Sequence, residues 1–203
     1  MTQYNNNFWD ERYSTQEFIY GREPNEFFKE QLEKLKPGKI LLPGEGEGRN
    51  AVFAARLGWQ VEATDQSIVA KLKAEKLATE YGVKINYSVC DIKDYIFKEN
   101  FYNASALIFF HKPAELRSSI HKKIINSLKP DGTLIFEMFN KEQLGRDSGG
   151  PQDYEMLYST EDIERDFSSL RTVLLENQII TLTEGPKHSG EASVIRYIGI
   201  KNQ

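Results

Sequence analysis

The sequence predicts an α/β fold, a doubly wound and mostly parallel sheet with helices on both faces. Three observations carry this. Hydrophobic periodicity alternates between strand type and helix type from residue 24 to residue 139. The short apolar run Ile40-Leu41-Leu42-Pro43 delivers the chain into three alternating glycines, Gly44, Gly46 and Gly48, and a helix opens behind them. Two long β-rich runs, 171–183 and 191–201, flank a turn rich in Gly, Pro and Ser and read as a closing hairpin.

The elements follow in order. A helix is expected over 24–35, started by Pro24, with Phe27, Phe28, Leu32 and Leu35 on one side. Strands are expected near 39–43, 60–64, 84–89, 104–110 and 132–139, and helices near 49–57, 68–80 and 114–128. In the last of these Leu116, Ile120, Ile124 and Leu128 recur every four residues, and Pro130 and Gly132 end it. Alternation of this kind implies right-handed parallel crossovers. Ser159-Thr160-Glu161-Asp162 marks a further capped helix. The glycine-rich stretch 145–151 reads as a surface loop over the site. No repeat, low-complexity tract or linker divides the chain, so 1–203 reads as one domain, with 1–37 as an N-terminal segment covering the site.

Composition narrows the function. A chain of 203 residues with 39% hydrophobic content can bury a full core. The net charge of −4 and the absence of a basic stripe argue against a large nucleic-acid footprint. The longest apolar run, 104–110, falls far short of the ~18 residues that cross a bilayer, and the N-terminus lacks a secretory pattern. One cysteine cannot form an internal disulfide, which agrees with a reducing cytoplasm. Three histidines, at 111, 121 and 188, match no metal-ligand spacing, so no metal is expected.

The glycine loop suggests its own ligand. Asp65 stands seventeen residues past Gly48, at the end of the second strand, where an acceptor for ribose hydroxyls is needed. Asp65 could instead cap the following helix. Glu45 and Glu47 lie between the glycines, and a pyrophosphate beside them would be repelled by roughly 1 to 4 kcal/mol per charge pair. Arg49 fills the slot of the third dinucleotide-loop glycine, and no phosphate-loop Gly-Lys-Ser/Thr occurs. S-adenosylmethionine offers adenosine without phosphate and carries positive charge, which an acidic loop tolerates.

Other residues divide between chemistry and packing. His111 closes the fourth strand at the carboxyl edge of the sheet, where open α/β folds bind ligands, or is simply tied to local backbone. His188 sits at the hairpin turn. His121, one step off the apolar helix stripe and beside Lys122 and Lys123, is expected to be solvated. Cys90 reads as a buried, inert thiol and Arg196 as a sheet-face charge.

Together these motifs resemble the class I S-adenosylmethionine-dependent methyltransferases. Phe8-Trp9-Asp10-Glu11-Arg12-Tyr13 and Tyr20-Gly21-Arg22-Glu23-Pro24 narrow the resemblance to the TehB-like branch, which holds tellurite-resistance and thiopurine methyltransferases. Phe110-His111-Lys112-Pro113, Leu128-Lys129-Pro130-Asp131-Gly132, Gly149-Gly150-Pro151 and Glu184-Gly185-Pro186-Lys187-His188-Ser189-Gly190 extend it over nearly the whole chain. The resemblance implies a Rossmann-like sheet of seven strands with an antiparallel C-terminal edge. It implies S-adenosyl-L-methionine as cofactor, held by Trp9, Arg12, Tyr20, Gly44, Glu45, Gly46, Asn50, Asp65, Gln66, Asp91, Ile92 and Phe110. His111 and His188 would face the methyl acceptor. One departure stands out: the family's usual acid is Leu42 here, leaving Glu45 or an N-terminal residue to hold the methionine ammonium.

The expected activity is methyl transfer by direct in-line displacement to a small nucleophile such as a thiol or chalcogen oxyanion, by a cytoplasmic monomer or homodimer. Alternatives are a noncatalytic S-adenosylmethionine-binding protein or an RNA or protein methyltransferase. The segment after strand four lacks the Asn/Asp-Pro-Pro-aromatic signature of aminomethylating nucleic-acid enzymes.

Overall fold

The computed structural model describes residues 6–203; the first five residues of the expected N-terminal segment lie outside it. Seven strands form one mixed sheet: β1 (Lys39–Pro43), β2 (Gln60–Asp65), β3 (Asn86–Val89), β4 (Tyr102–Ile108), β5 (Leu128–Phe139), β6 (Leu170–Thr183) and β7 (Ser189–Lys201). Their order is β3-β2-β1-β4-β5-β7-β6. Six α-helices accompany them among the described residues: α1 (Asn6–Tyr13), α2 (Glu26–Leu32), α3 (Arg49–Arg56), α4 (Ile68–Glu80), α5 (Ala114–Ser127) and α6 (Thr160–Asp166). The chain divides into two compact units, one running to Tyr95 with Glu184–Lys187, the other comprising Ile96–Thr183 and His188–Gln203.

In the first unit β1, β2 and β3 pair in parallel, with Pro43 opposite Thr64 and Asp65 opposite Val89. Parallel pairing puts the three loops that follow them at one edge, so Gly44–Gly48, Asp65–Gln66 and Asp91–Ile92 become neighbours. Gly48 has φ 90°, and a Cβ on it would stand 2.5 Å from the Ala74 Cβ. The glycine is therefore required twice, by backbone conformation and by the close approach of α3 to α4. Helix α2 starts at Glu26 rather than Pro24, because the Asn25 side chain accepts the Phe28 N–H and so caps the helix.

In the second unit β4 and β5 are parallel, while β7 runs antiparallel to both β5 and β6. Strand β5 begins at Leu128 instead of near 132, passing through Asp131 at φ 63°. Its core packs Phe136, Tyr158, Phe167 and Tyr197 ring on ring, all fully or nearly fully buried. Helix α6 carries the expected capping box of Ser159 and Asp162. The buried face of α5 is rotated from the expected stripe. Leu116 is 43% exposed, and Arg117, Ile120, His121 and Ile124 face inward.

That rotation corrects the expectation for His121, which is 1% exposed. Its Nδ1 lies 2.9 Å from an Asp166 carboxylate oxygen and its Nε2 lies 3.4 Å from the Tyr158 hydroxyl. One turn earlier Arg117 pairs with Asp162 at 2.8 Å. The two pairs are matched rungs, each set spaced four residues apart on its own helix, and they make a polar face buriable.

Among the described residues no helix is long and apolar enough to cross a membrane.

Candidate functional site

The glycine loop is fixed from below by Asp65. Its carboxylate accepts the Gly46 N–H at 3.1 Å and the Ser67 N–H at 2.9 Å. The cap of α4 is Ser67, whose hydroxyl accepts the Ala70 N–H at 3.1 Å. The capping alternative for Asp65 is thus corrected: the acid braces the loop, and a serine two residues later does the capping. The Gly46 carbonyl accepts the Tyr87 hydroxyl at 2.7 Å, so the loop's middle peptide is held on both sides. Asp91 accepts the Lys93 N–H and opens a 3₁₀ turn whose first residue, Ile92, is 4% exposed. Gln66 follows Asp65 at the same edge and is partly exposed.

The two loop glutamates have different jobs. Glu45 accepts the Ala51 N–H at 2.7 Å, closing the first turn of α3. Burial pushes its carboxyl up to about 8, against the pull of that N–H and of Arg49. Glu47 is 3% exposed; it forms an ion pair with Lys73 at 2.5 Å and accepts the Tyr20 N–H at 3.3 Å. The picture of two open acids flanking a ligand therefore holds for neither: Glu47 is paired with Lys73, and Glu45 sits on the Ala51 N–H with its carboxyl raised by burial.

An aromatic segment lies over this loop. Trp9 stacks on Tyr13 with centroids 5.6 Å apart, and Tyr13 meets Tyr20 edge to face at 6.2 Å. A Cβ on Gly46 would come within 2.8 Å of the Tyr13 hydroxyl, so the ring sits directly against the loop. Burial, then the Asp65 charge, drive the Tyr13 phenol well above its ordinary value. Arg12 donates to the Tyr20 hydroxyl at 2.9 Å and lies over the Trp9 and Tyr20 rings. Lys73 fastens the segment to α4 by donating to the Thr15 and Glu17 carbonyls.

Arg49 explains why the third dinucleotide-loop glycine is absent. It donates to the Tyr20 carbonyl and to the Glu184 carboxylate, each at 2.9 Å, and is 7% exposed. Asn25 donates to the other Glu184 oxygen at 3.0 Å, and Asn50 accepts the Asn25 N–H at 2.9 Å. The backbones meet here too: a Cβ on Gly185 would be 2.6 Å from the Gly21 nitrogen. Arg49, Glu184, Tyr13 and Tyr87 lie outside the set of site residues that the sequence points to. For Arg49 and Glu184 the available signal is two charges far apart in the chain, each beside a glycine motif.

The second unit gathers His111 and His188 around Phe139. The His111 ring stacks on Phe139 with centroids 5.5 Å apart and planes at 15°; the His188 ring meets the same phenyl edge to face, also at 5.5 Å. His188 is 5% exposed and lies 4.6 Å from the Phe109 ring. His111 Nδ1 donates to the Met156 carbonyl at 2.9 Å, since a carbonyl can only accept, and Nε2 takes the Phe139 N–H at 3.4 Å. Burial, with the His188 and Arg117 charges, lowers its pKa to about 4 despite the Met156 bond. The imidazole is neutral, with both nitrogens on backbone. Phe109, at φ 50°, turns the chain out of β4 in a conformation that bulky residues avoid, at a cost of about 1–3 kcal/mol. Phe110 is 9% exposed with the Lys112 ammonium 4.9 Å over its ring. The Gly149-Gly150-Pro151 loop lies on Phe139, because a Cβ on Gly150 would come within 2.6 Å of the ring.

Cys90 is half-buried rather than enclosed, and burial together with Asp91 raises its thiol pKa, which keeps it protonated and inert. Arg196 donates to the buried Glu137 carboxylate at 2.5 Å and to Gln178 at 2.9 Å, as a sheet-face charge would. Among the described residues no group of histidine, cysteine or acidic side chains could hold a metal ion.

Among solved structures, a protein described for conversion of a disulfide bond into a thioacetal group during echinomycin biosynthesis superimposes with TM-score 0.79 at 14% identity, covering 97% of this chain and 91% of the other. TehB from Haemophilus influenzae gives 0.71 at 16% identity, over 97% of this chain and 67% of its own. An S-adenosylmethionine-dependent methyltransferase from Clostridium acetobutylicum gives 0.65 at 16% identity, over 87% and 90%. The fold is that of the S-adenosylmethionine-dependent methyltransferases. No curated protein matches the chain in sequence. The tellurite resistance protein TehB family model matches residues 2–145, and with the glycine loop, its acid brace and its aromatic cover all falling inside that span, the chain belongs to the TehB family.

Proposed function

We propose that the protein is an S-adenosyl-L-methionine-dependent methyltransferase acting on a small nucleophilic acceptor, a thiol, a chalcogen oxyanion or a similar group. The observation that carries this reading is the Gly44–Gly48 loop braced by Asp65 and covered by Trp9, Tyr13 and Tyr20. These residues fit the group: carboxylates at the edge suit ribose hydroxyls and a cationic ligand, and aromatic faces favour a sulfonium by ~1 to 2 kcal/mol when desolvated. When bound, the cofactor supplies an electrophilic methyl carbon. Asp65 and Asp91 would hold the adenosine half, with Gly44, Gly46, Asn50, Gln66, Ile92 and Phe110 shaping its surroundings. Glu45, three positions after Leu42 in the chain, would meet the methionine ammonium, giving up the proton that burial holds on it as the cation arrives. Trp9, Arg12 and Tyr20 exclude water.

On the acceptor side His111 is too weak a base at neutral pH to take a proton, and its two backbone bonds suit positioning instead. Any proton on the acceptor falls to His188. In-line displacement needs no covalent enzyme intermediate, so rate enhancement comes from alignment and a dry, preorganised site. The whole chain would act as one catalytic domain in the cytoplasm.

Calorimetry tests the cofactor: S-adenosylmethionine and S-adenosylhomocysteine should bind with micromolar affinity, and NAD and ATP much more weakly. NAD binding as tightly would overturn the reading. S-adenosylhomocysteine release measured across thiols, thiopurines, selenite and tellurite then identifies the acceptor. Cofactor binding with no turnover on any acceptor would favour a sensor.

A further inference from the structure

The aromatic segment over the glycine loop is a strap with a weak middle. Ser14, Thr15, Gln16 and Glu17 are all exposed, so this stretch buries no side chain that would hold it down. Four oxygens converge instead on the Lys73 ammonium of α4: the carbonyls of Tyr13, Thr15 and Glu17 at 3.3, 3.0 and 2.6 Å, and the Glu47 carboxylate at 2.5 Å. The Phe18 ring lies 5.1 Å from the same nitrogen. The Lys73 side chain is 14% exposed and that of Glu47 2%, so water and salt screen the pair little. Glu47 also accepts the Tyr20 N–H. On either side of this stretch other groups anchor the strap: Asp10 accepts the Ser67 hydroxyl at the start of α4, and Arg49 donates to the Tyr20 carbonyl. Lys73 thus joins three strap peptides to α4 and, through Glu47, to the glycine loop.

We propose that Lys73 is a positioning residue that gates the cofactor: its hold on the strap sets how often Tyr13 and Tyr20 lift from the glycine loop. The inference rests on the cofactor reading above. The Tyr13 hydroxyl is so close to the loop that a Cβ on Gly46 would meet it at 2.8 Å, and a ligand the size of S-adenosylmethionine passes between ring and loop only when the strap moves. The contacts of Lys73 are with strap backbone, Phe18 and Glu47, none of which is among the groups assigned to the cofactor. Its effect therefore falls on rates rather than on affinity. While the strap is mostly closed, a larger open fraction speeds entry and exit alike and cancels in their ratio.

Removing the ammonium alone would strand the buried Glu47 carboxylate, so Lys73→Met is tested beside the Lys73→Met/Glu47→Gln double variant, whose glutamine oxygen still accepts the Tyr20 N–H. Stopped-flow fluorescence, with Trp9 in the strap as reporter and S-adenosylhomocysteine as probe, gives association and dissociation rates. Amide hydrogen exchange at Tyr20, followed without ligand, gives the opening of the strap itself. In the double variant both rate constants should rise about tenfold or more while Kd stays within about threefold, and exchange at Tyr20 should accelerate by a similar factor. Faster dissociation with unchanged association would make Lys73 part of the pocket and overturn the gate, as would unchanged rates in a variant that binds. Failure of the parent protein to bind S-adenosylhomocysteine would remove the cofactor reading itself, and the gate with it.

Discussion

Replacing Glu45 by glutamine isolates the energetic consequence of burying an acid in the glycine loop. The carboxyl titrates ordinarily at 4.5 and is raised to about 8 in the folded chain. Below pH 4.5 both folded and unfolded states carry the proton, and Glu45 imposes no penalty. Between 4.5 and 8 the unfolded chain has released its proton while the folded chain keeps it, so stability falls as pH rises; above 8 the loss is complete. Three and a half units correspond to about 5 kcal/mol, a ceiling because the residue is only partly closed to solvent. The glutamine side chain keeps an oxygen for the Ala51 N–H and cannot ionise. The Glu45→Gln variant should match the parent near pH 4.5 and gain about 2–4 kcal/mol by pH 8, measured by urea denaturation across that range without ligand. A difference that stays flat with pH would refute burial as the cause.

Gly48→Ala should cost about 2–5 kcal/mol, combining positive-φ strain with overpacking on Ala74; adding Ala74→Gly should restore only a part of the packing loss, since the new Cβ would still stand 2.8 Å from the Cα of residue 74, as thermal unfolding of the pair would show. Asp65→Ala should weaken S-adenosylmethionine by roughly 1.5–3 kcal/mol in calorimetry, the range for losing a charged hydrogen-bond partner, and unchanged affinity in a folded variant would remove Asp65 from the site. His188→Ala should lower kcat by about 10²-fold while cofactor affinity holds. His111→Ala should mainly raise the acceptor KM, and because His111 ionises near pH 4 it should leave any neutral inflection in the rate profile in place. Wild-type kinetics in both variants would withdraw the histidines.

Local pattern suffices for the elements and for the loop. Periodicity reports which face of a short segment is buried, so β1, α4 and the capping box of α6 can be read from neighbours a few positions apart. The glycines are in part local demands: Gly48 answers its own φ, while the contact with Ala74 that also requires it is tertiary. The pairing of distant charges cannot be read this way. Arg49 with Glu184, Glu47 with Lys73, Arg117 with Asp162 and His121 with Asp166 each join residues that no short-range pattern relates. Once such a pair forms, a side chain that hydropathy would place in solvent becomes buriable, which is how α5 turns its His121 face inward. The role of Glu45 is open in the sequence for the same reason. Its charge depends on how much water the folded chain removes from around it, and only tertiary packing decides that.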